Sequence, residues 1–230
     1  MSKLNQLTSM PLVSSIIEIT ETKLKDSIDI EKISQLTIEL YKKSEELINQ
    51  VVEPVKDLID CKNGCSFCCY NQVSVTPLEV LTIDKYLKEN LSDNELNDLK
   101  EKIVQTDKIT YNTKHLERKK LRMPCPLLKD NSCSVYSVRP LFCRGWNSNS
   151  SIDCEDAFNS NEEHEIKIFG SQLMVTNSIS IGLNKGIKKL GNKSENLELI
   201  HALKIALTKY NVTEKYLSGK NIFSDARLDY

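Results

Sequence analysis

Apolar residues recur at helical spacing along most of the chain. Over 30–59, Ile33, Leu36, Leu40, Leu47, Val51, Val55 and Leu58 fall three or four residues apart, or at multiples of that step. They share one face of a long amphipathic helix, with a kink expected at Pro54. An earlier helix is predicted over 12–24, folded back on the long one as a hairpin. After the first cysteines, Thr76-Pro77-Leu78-Glu79 has the form of a capping box. Its Thr hydroxyl can cap, Pro suits the first helical position, and Glu79 can reach back. Ser92-Asp93-Asn94-Glu95 repeats the signal, so two helices are predicted, over 77–90 and 93–105.

Further along, residues 114–122 form a basic run, read as a solvated helix face or connector. Residues 125–154 are rich in Pro, Asn and Ser and read as mostly loop. Helical spacing returns over 162–189 through Ile166, Phe169, Leu173, Ile179, Ile181 and Leu183. Ser194 is expected to cap a helix through Leu197, Ile200, Leu203 and Leu207. A last helix is expected over 213–217, stopped by Gly219. These signals predict an all-α fold, a helical bundle with a cysteine-rich, loop-based metal site held between helices. The organisation expected is N-terminal helices over 1–60, a cysteine region over 61–158 and C-terminal helices over 159–230, together one compact domain.

Composition agrees with helix: only 7 Gly and 6 Pro stand among 230 residues. The 31 basic and 32 acidic residues nearly cancel, which gives no general attraction to nucleic acid or an anionic membrane. The N-terminal apolar stretch from Leu12 to Ile17 is broken by Ser14 and Ser15 and lacks a signal peptide's layout. No stretch approaches the roughly 20 apolar residues that span a bilayer. The expected location is cytoplasmic, where thiols stay reduced and a disulfide framework is not expected.

That changes how eight cysteines are read. All lie between positions 61 and 154. The first group is C-x3-C-x2-C-C: Cys61, Cys65, Cys68 and Cys69. The second is C-x7-C-x9-C-x10-C: Cys125, Cys133, Cys143 and Cys154. Thiolates two or three residues apart across a turn can point at one ion, and Gly64 suits such a turn because it tolerates positive φ. The second group needs the fold to gather it. Thiolates are soft anionic ligands that select zinc, cuprous ions or iron–sulfur clusters over magnesium or calcium. Core cysteines serving only as packing would not crowd four into nine positions and leave the helical flanks empty.

Adjacent side chains of an extended backbone point to opposite sides, so Cys68 and Cys69 are expected to serve different ions, or one bridges, or one is a spare buried thiol, and eight cysteines favour two metal positions or one multinuclear cluster. A zinc ion with four thiolates carries a formal charge of about −2, which needs an offset. Lys62, Arg139 and Arg144 lie within the cysteine segments, and Arg144, next to Cys143, is the first choice for donating to sulfur, the alternative being an ordinary salt bridge with a surface Asp or Glu. His115, His164 and His201 lack a second Cys or His at i+3 or i+4 and are left out of the site.

The combination of "CKNGCSFCC", "VSVTPLEV" and "CPLLKDNSCSVYSVRPLFCRGW" resembles the CxxCxxCC, or YkgJ-like, cysteine-cluster family, described as zinc- or iron-chelating. The resemblance rests on Cys68-Cys69, Thr76 to Glu79, Cys125-Pro126-Leu127-Leu128, Cys133, Tyr136, Arg139-Pro140 and Cys143-Arg144. Cys154 is then the last of eight. One spacing differs: three residues separate Cys61 from Cys65, where the family's name implies two. The resemblance implies a metal ion or iron–sulfur cluster as cofactor. It also implies a relation to the cysteine-rich region of flagellin lysine methylases, which transfer methyl groups from S-adenosylmethionine to protein lysines.

Two classes of function follow. One is a metal-binding module holding zinc or an iron–sulfur centre, with a protein partner or substrate left open. The other is an S-adenosylmethionine-dependent protein-lysine methylase, although the chain has no Gly-rich strand-to-helix turn for the cofactor. Cys61, Cys65 and Cys68 also carry the C-x3-C-x2-C spacing of radical S-adenosylmethionine enzymes. The long helix ahead of them and the lack of β-rich runs after them argue against that fold.

Overall fold

The computed structural model describes residues 8–62, 64–113, 115–160 and 166–228, and in it the helical periodicity becomes ten α-helices. The N-terminal pair is α1 (Met10–Leu24) and α2 (Ile30–Val52). Asp29 caps α2, its carboxylate accepting from the Lys32 amide at 2.9 Å. Ile33, Leu36 and Leu40 are buried, as their spacing requires, while Leu58 is exposed. The predicted kink at Pro54 is a termination instead. The α-helix stops at Val52 and a 3-10 turn runs over Glu53–Leu58. Pro54 has no amide to bond back to residue 50, and its ring crowds that carbonyl.

Both capping boxes form. Thr76 opens α3 (Pro77–Asn90) and Ser92 opens α4 (Asp93–Thr110), each with its Glu reaching back to the cap amide. α4 runs five residues beyond the predicted end because Ile103, Thr106 and Thr110 continue its buried face. The segment 125–154 is less irregular than expected. It holds a hairpin of β2 (Leu128–Lys129) and β3 (Ser132–Cys133), then α6 (Leu141–Gly145), and it runs into α7 (Ser151–Asn159). Asp130 and Asn131 both have positive φ, 50° and 58°, the requirement of the two-residue turn that matches strand twist.

The helix predicted over 162–189 begins at Gly170. α8 spans Gly170–Lys189, residues 166–169 lie outside any helix, and 162–165 fall outside the described residues. Ser194 is not a cap. Its hydroxyl bonds the Asn184 side chain, and Glu198 caps α9 (Leu199–Thr208). Residues Leu197–Glu198 form β4, which pairs antiparallel with β1 (Ser74–Val75), Ser74 opposite Glu198. Short α5 (His115–Lys120) and α10 (Val212–Leu217) complete the set.

α8 is the organising element: it packs on α1, α2 and α6. α3 lies between α2 and α9, and α4 covers α9. Leu173, Ile179, Leu183 and Ile187 of α8 join Ile16, Leu36, Leu81, Leu141 and Leu203 in a buried core. Among the described residues, no helix is long and apolar enough to cross a membrane.

Candidate metal centre

Four chain segments converge beside α6. The first follows α2. Asp60 donates its amide to the Ser148 carbonyl at 3.0 Å, and its carboxylate accepts from the Ser151 amide at 2.7 Å. The bonds from Ser151 lower the Asp60 carboxyl below its usual range. The Ser148 amide donates to the Cys61 sulfur at 3.1 Å. These contacts seat Cys61 beside the start of α7, which carries Cys154.

Gly64 then turns the chain with φ of 89°, as expected of it, and a 3-10 turn follows over Phe67–Tyr70. The extended backbone assumed for Cys68 and Cys69 is therefore not present. At three residues per turn, neighbours stand about 120° apart rather than on opposite sides. Both face the same cavity, and their thiols hydrogen-bond each other. Phe158 of α7 packs against Tyr70 and Phe67, ring centroids 4.7 and 5.8 Å away, and locks this turn to α7.

The second group arrives in register with the first. The Cys125 amide donates to the Cys69 carbonyl at 2.7 Å. The β2–β3 hairpin folds Cys133 back, its far side closed by Ser134 N–H to the Leu127 carbonyl at 2.9 Å. Cys143 sits on α6, and α6 is pinned by Glu79. The Glu79 carboxylate accepts from the Leu141 amide at 2.7 Å as well as from the Thr76 amide at 2.8 Å. Tyr41 of α2 lies at the edge of the same carboxylate. Burial pushes the Glu79 carboxyl up, and the amide donors oppose that shift. The capping box alone does not announce this second role. The signal available was position: Glu79 sits inside an otherwise unbroken buried run, Leu78 to Ile83. On the other side of α6, a side chain at Gly145 would put its Cβ 2.0 Å from the Thr176 hydroxyl of α8.

Cys61, Cys65, Cys68, Cys69, Cys125, Cys133 and Cys143 all line one cavity of about 320 Å³, together with Arg139, Arg144, Lys62 and apolar walls such as Phe142, Trp146 and Leu199. Cys154 is buried on α7 and feels the charge of Cys65 and Cys68. All eight thiols are free. The sulfurs approach without closing round one point: among the described residues, no three His, Cys, Asp or Glu side chains form a ready ligand set for a metal ion. The volume exceeds what one ion needs and reaches the lower end of small-molecule pockets.

Several thiols of the wall are raised. Burial, with the neighbouring thiols as a second cause, pushes Cys143 well up. Burial likewise raises Cys125 to about 12, against the pull of the Leu127 amide. Cys61 keeps exposed surface, yet partial desolvation of its sulfur raises it to about 11, against the pull of the Ser148 amide. Cys68 is raised by its hydrogen bond with Cys69 and by burial. Thiolates here repel one another and lack water, so they need a cation to form together. That is the chemistry of a soft-metal donor set, and the residues present fit one.

The two arginines differ. Arg144 spends three donors elsewhere: on the Arg139 carbonyl at 2.9 Å, on the Ser137 carbonyl at 2.7 Å and on Glu45. Its guanidinium also lies 4.3 Å from the Tyr41 ring centroid. It braces the turn ahead of α6. Arg139 stacks 4.1 Å over Tyr136, lines the cavity, and keeps a buried Nε with no hydrogen-bond partner among the described residues. Its charge acts on Cys68, Cys133 and Cys143.

Of the histidines set aside, His201 is buried on α9 and bonds Asp107 at 2.7 Å, a link between α9 and α4. His164 lies outside the described residues. No curated protein and no solved structure matches the chain. The cysteine segments themselves do have a match: residues 60–167 match the model of the CxxCxxCC family, described as a "putative zinc- or iron-chelating domain".

Proposed function

We propose that this chain is a metal-binding protein whose two cysteine groups hold one shared thiolate centre, zinc or iron–sulfur, that ties the cysteine segments to the helical frame. The observation that carries this reading is the convergence of seven cysteines, from separate segments of chain, on one cavity wall. Cys61, Cys65, Cys68, Cys69, Cys125, Cys133 and Cys143 are the ligand candidates there, with Cys154 beside Cys65 and Cys68 as the eighth. Eight thiols exceed the four that a single tetrahedral ion takes, which favours an iron–sulfur or multinuclear centre. Bound metal would supply the positive charge that lets these thiols ionise together. The chain's own part is to gather the sulfurs, through Glu79, the Cys125–Cys69 backbone bond and the Ser148–Cys61 bond, and to exclude water with Phe142 and Trp146.

Purification without oxygen followed by elemental analysis tests the reading. Stoichiometric iron with absorption near roughly 400 nm indicates an iron–sulfur centre, and stoichiometric zinc in a colourless protein indicates zinc. Cys68→Ser and Cys143→Ser are expected to lower metal content and thermal stability together. Wild-type protein without zinc, iron or copper would end the proposal.

A further inference from the structure

Arg118 lies in the basic run that reads as a solvated face, yet its side chain is only 1% exposed. Its Nη1 donates to the Met123 carbonyl at 2.9 Å, two residues before Cys125. Its Nε and Nη2 are buried and have no hydrogen-bond partner among the described residues. A guanidinium is always charged and carries five donors, so burying it with donors unused is costly and calls for an explanation.

The two negative groups that act on Arg118 are Glu198 and Cys125. Glu198 has other work, since its carboxylate accepts from the amides of His201 and Ile200 at the start of α9. Cys125 accepts a single amide, from Leu127. Its amide fixes it to Cys69, and its sulfur faces the cavity. Arg139, which does line the cavity, repeats the pattern with a buried, unpartnered Nε among the other thiols.

We infer that Arg118 is a charge-compensating positioning residue for the metal centre, its unused donors serving the Cys125 sulfur when that sulfur is a metal-bound thiolate. The inference rests on the proposed metal-binding function. An opposite charge within about 4–6 Å favours a thiolate by a factor of about ten or more.

The test uses protein purified without oxygen, with its co-purified zinc and iron counted before and after titration with a chelator. Arg118→Met keeps the length of the side chain and removes the charge. It is expected to release metal at about tenfold lower chelator concentration, and Arg118→Lys to recover most of that loss. The metal-free Arg118→Met protein is expected to melt at or above the wild-type temperature, because an unsatisfied buried charge has gone. A role in packing alone predicts the reverse, a metal-free protein that is less stable. Lys119→Ala, one residue along, should change neither reading. Wild-type metal retention in Arg118→Met, or a destabilised metal-free Arg118→Met, overturns the inference. If Cys125→Ser loses metal while Arg118→Met keeps it, the metal centre stands and Arg118 is excluded from it. If the wild-type protein carries no zinc, iron or copper, both proposals fall.

Discussion

α8 and the first cysteine segment are of similar length and are built on opposite principles. α8 buries Leu173, Val175, Ile179, Leu183 and Ile187 and touches three other helices. From Glu53 to Gln72, no described residue is buried. That stretch is held by a few hydrogen bonds, the Phe158 contact and the thiols themselves. The frame has a hydrophobic reason to be ordered, and the cysteine segment has almost none. A chain that spends twenty residues without a buried side chain, Val55 and Ile59 being only partly buried against the core, needs another source of order, and a metal–thiolate bond is strong enough to provide it.

The largest effect that would sharpen this contrast is metal removal. Chelation under reducing conditions is expected to abolish amide-exchange protection in residues 59–72, while α8 and α2 keep theirs. Hydrogen exchange read by mass spectrometry checks this. Equal loss in both regions would erase the distinction between frame and cysteine segment. Next in size is Leu183→Ala, which opens a cavity in the frame. It should cost about 2–5 kcal/mol in denaturant unfolding, with the metal count per folded protein unchanged.

The smallest effect concerns the join between the regions, at Glu198. Burial is the main cause that raises its carboxyl to about 7, and Asp107 adds to it, while the His201 and Ile200 amides and Arg118 pull the other way. The unfolded chain releases this proton near the ordinary value of 4.5, so between the two values the folded state holds a proton that the unfolded state has lost. Stability from this group is therefore present below about 4.5 and is lost as pH rises through about 7. The loss is on the order of 3 kcal/mol. Glu198→Gln should flatten that slope in melts followed from pH 5 to 8, and an unchanged slope would remove Glu198 as its source.

Much of the frame was legible in the sequence. Thr76 with Glu79 and Ser92 with Glu95 declare two helix starts by local chemistry, and both form. Ile33, Leu36 and Leu40 declare a buried face by spacing, and they are buried. Local rules did less well where a tertiary partner competes. Ser194 has a cap's composition, but Asn184 takes its hydroxyl. Asn- and Ser-rich composition hid α7, which Ser150 caps and the Phe158 contact anchors. Charge along the chain gave no warning of Arg118, because burial depends on what packs over a residue rather than on its neighbours in sequence.

The candidate site divides the same way. That the cysteines read as candidate metal ligands is a matter of residue type and crowding, both properties of the sequence itself. Which cysteines meet, that Cys68 and Cys69 face one cavity, that Arg144 braces a turn while Arg139 and Arg118 keep free donors, and that Glu79 delivers α6 were decided only by the fold. Helix starts and turns depend on atoms a few residues apart, so the sequence fixes them locally. The meeting of sulfurs from positions 61 and 143 depends on how α2, α3 and α8 pack between them, and that is a property of the whole core.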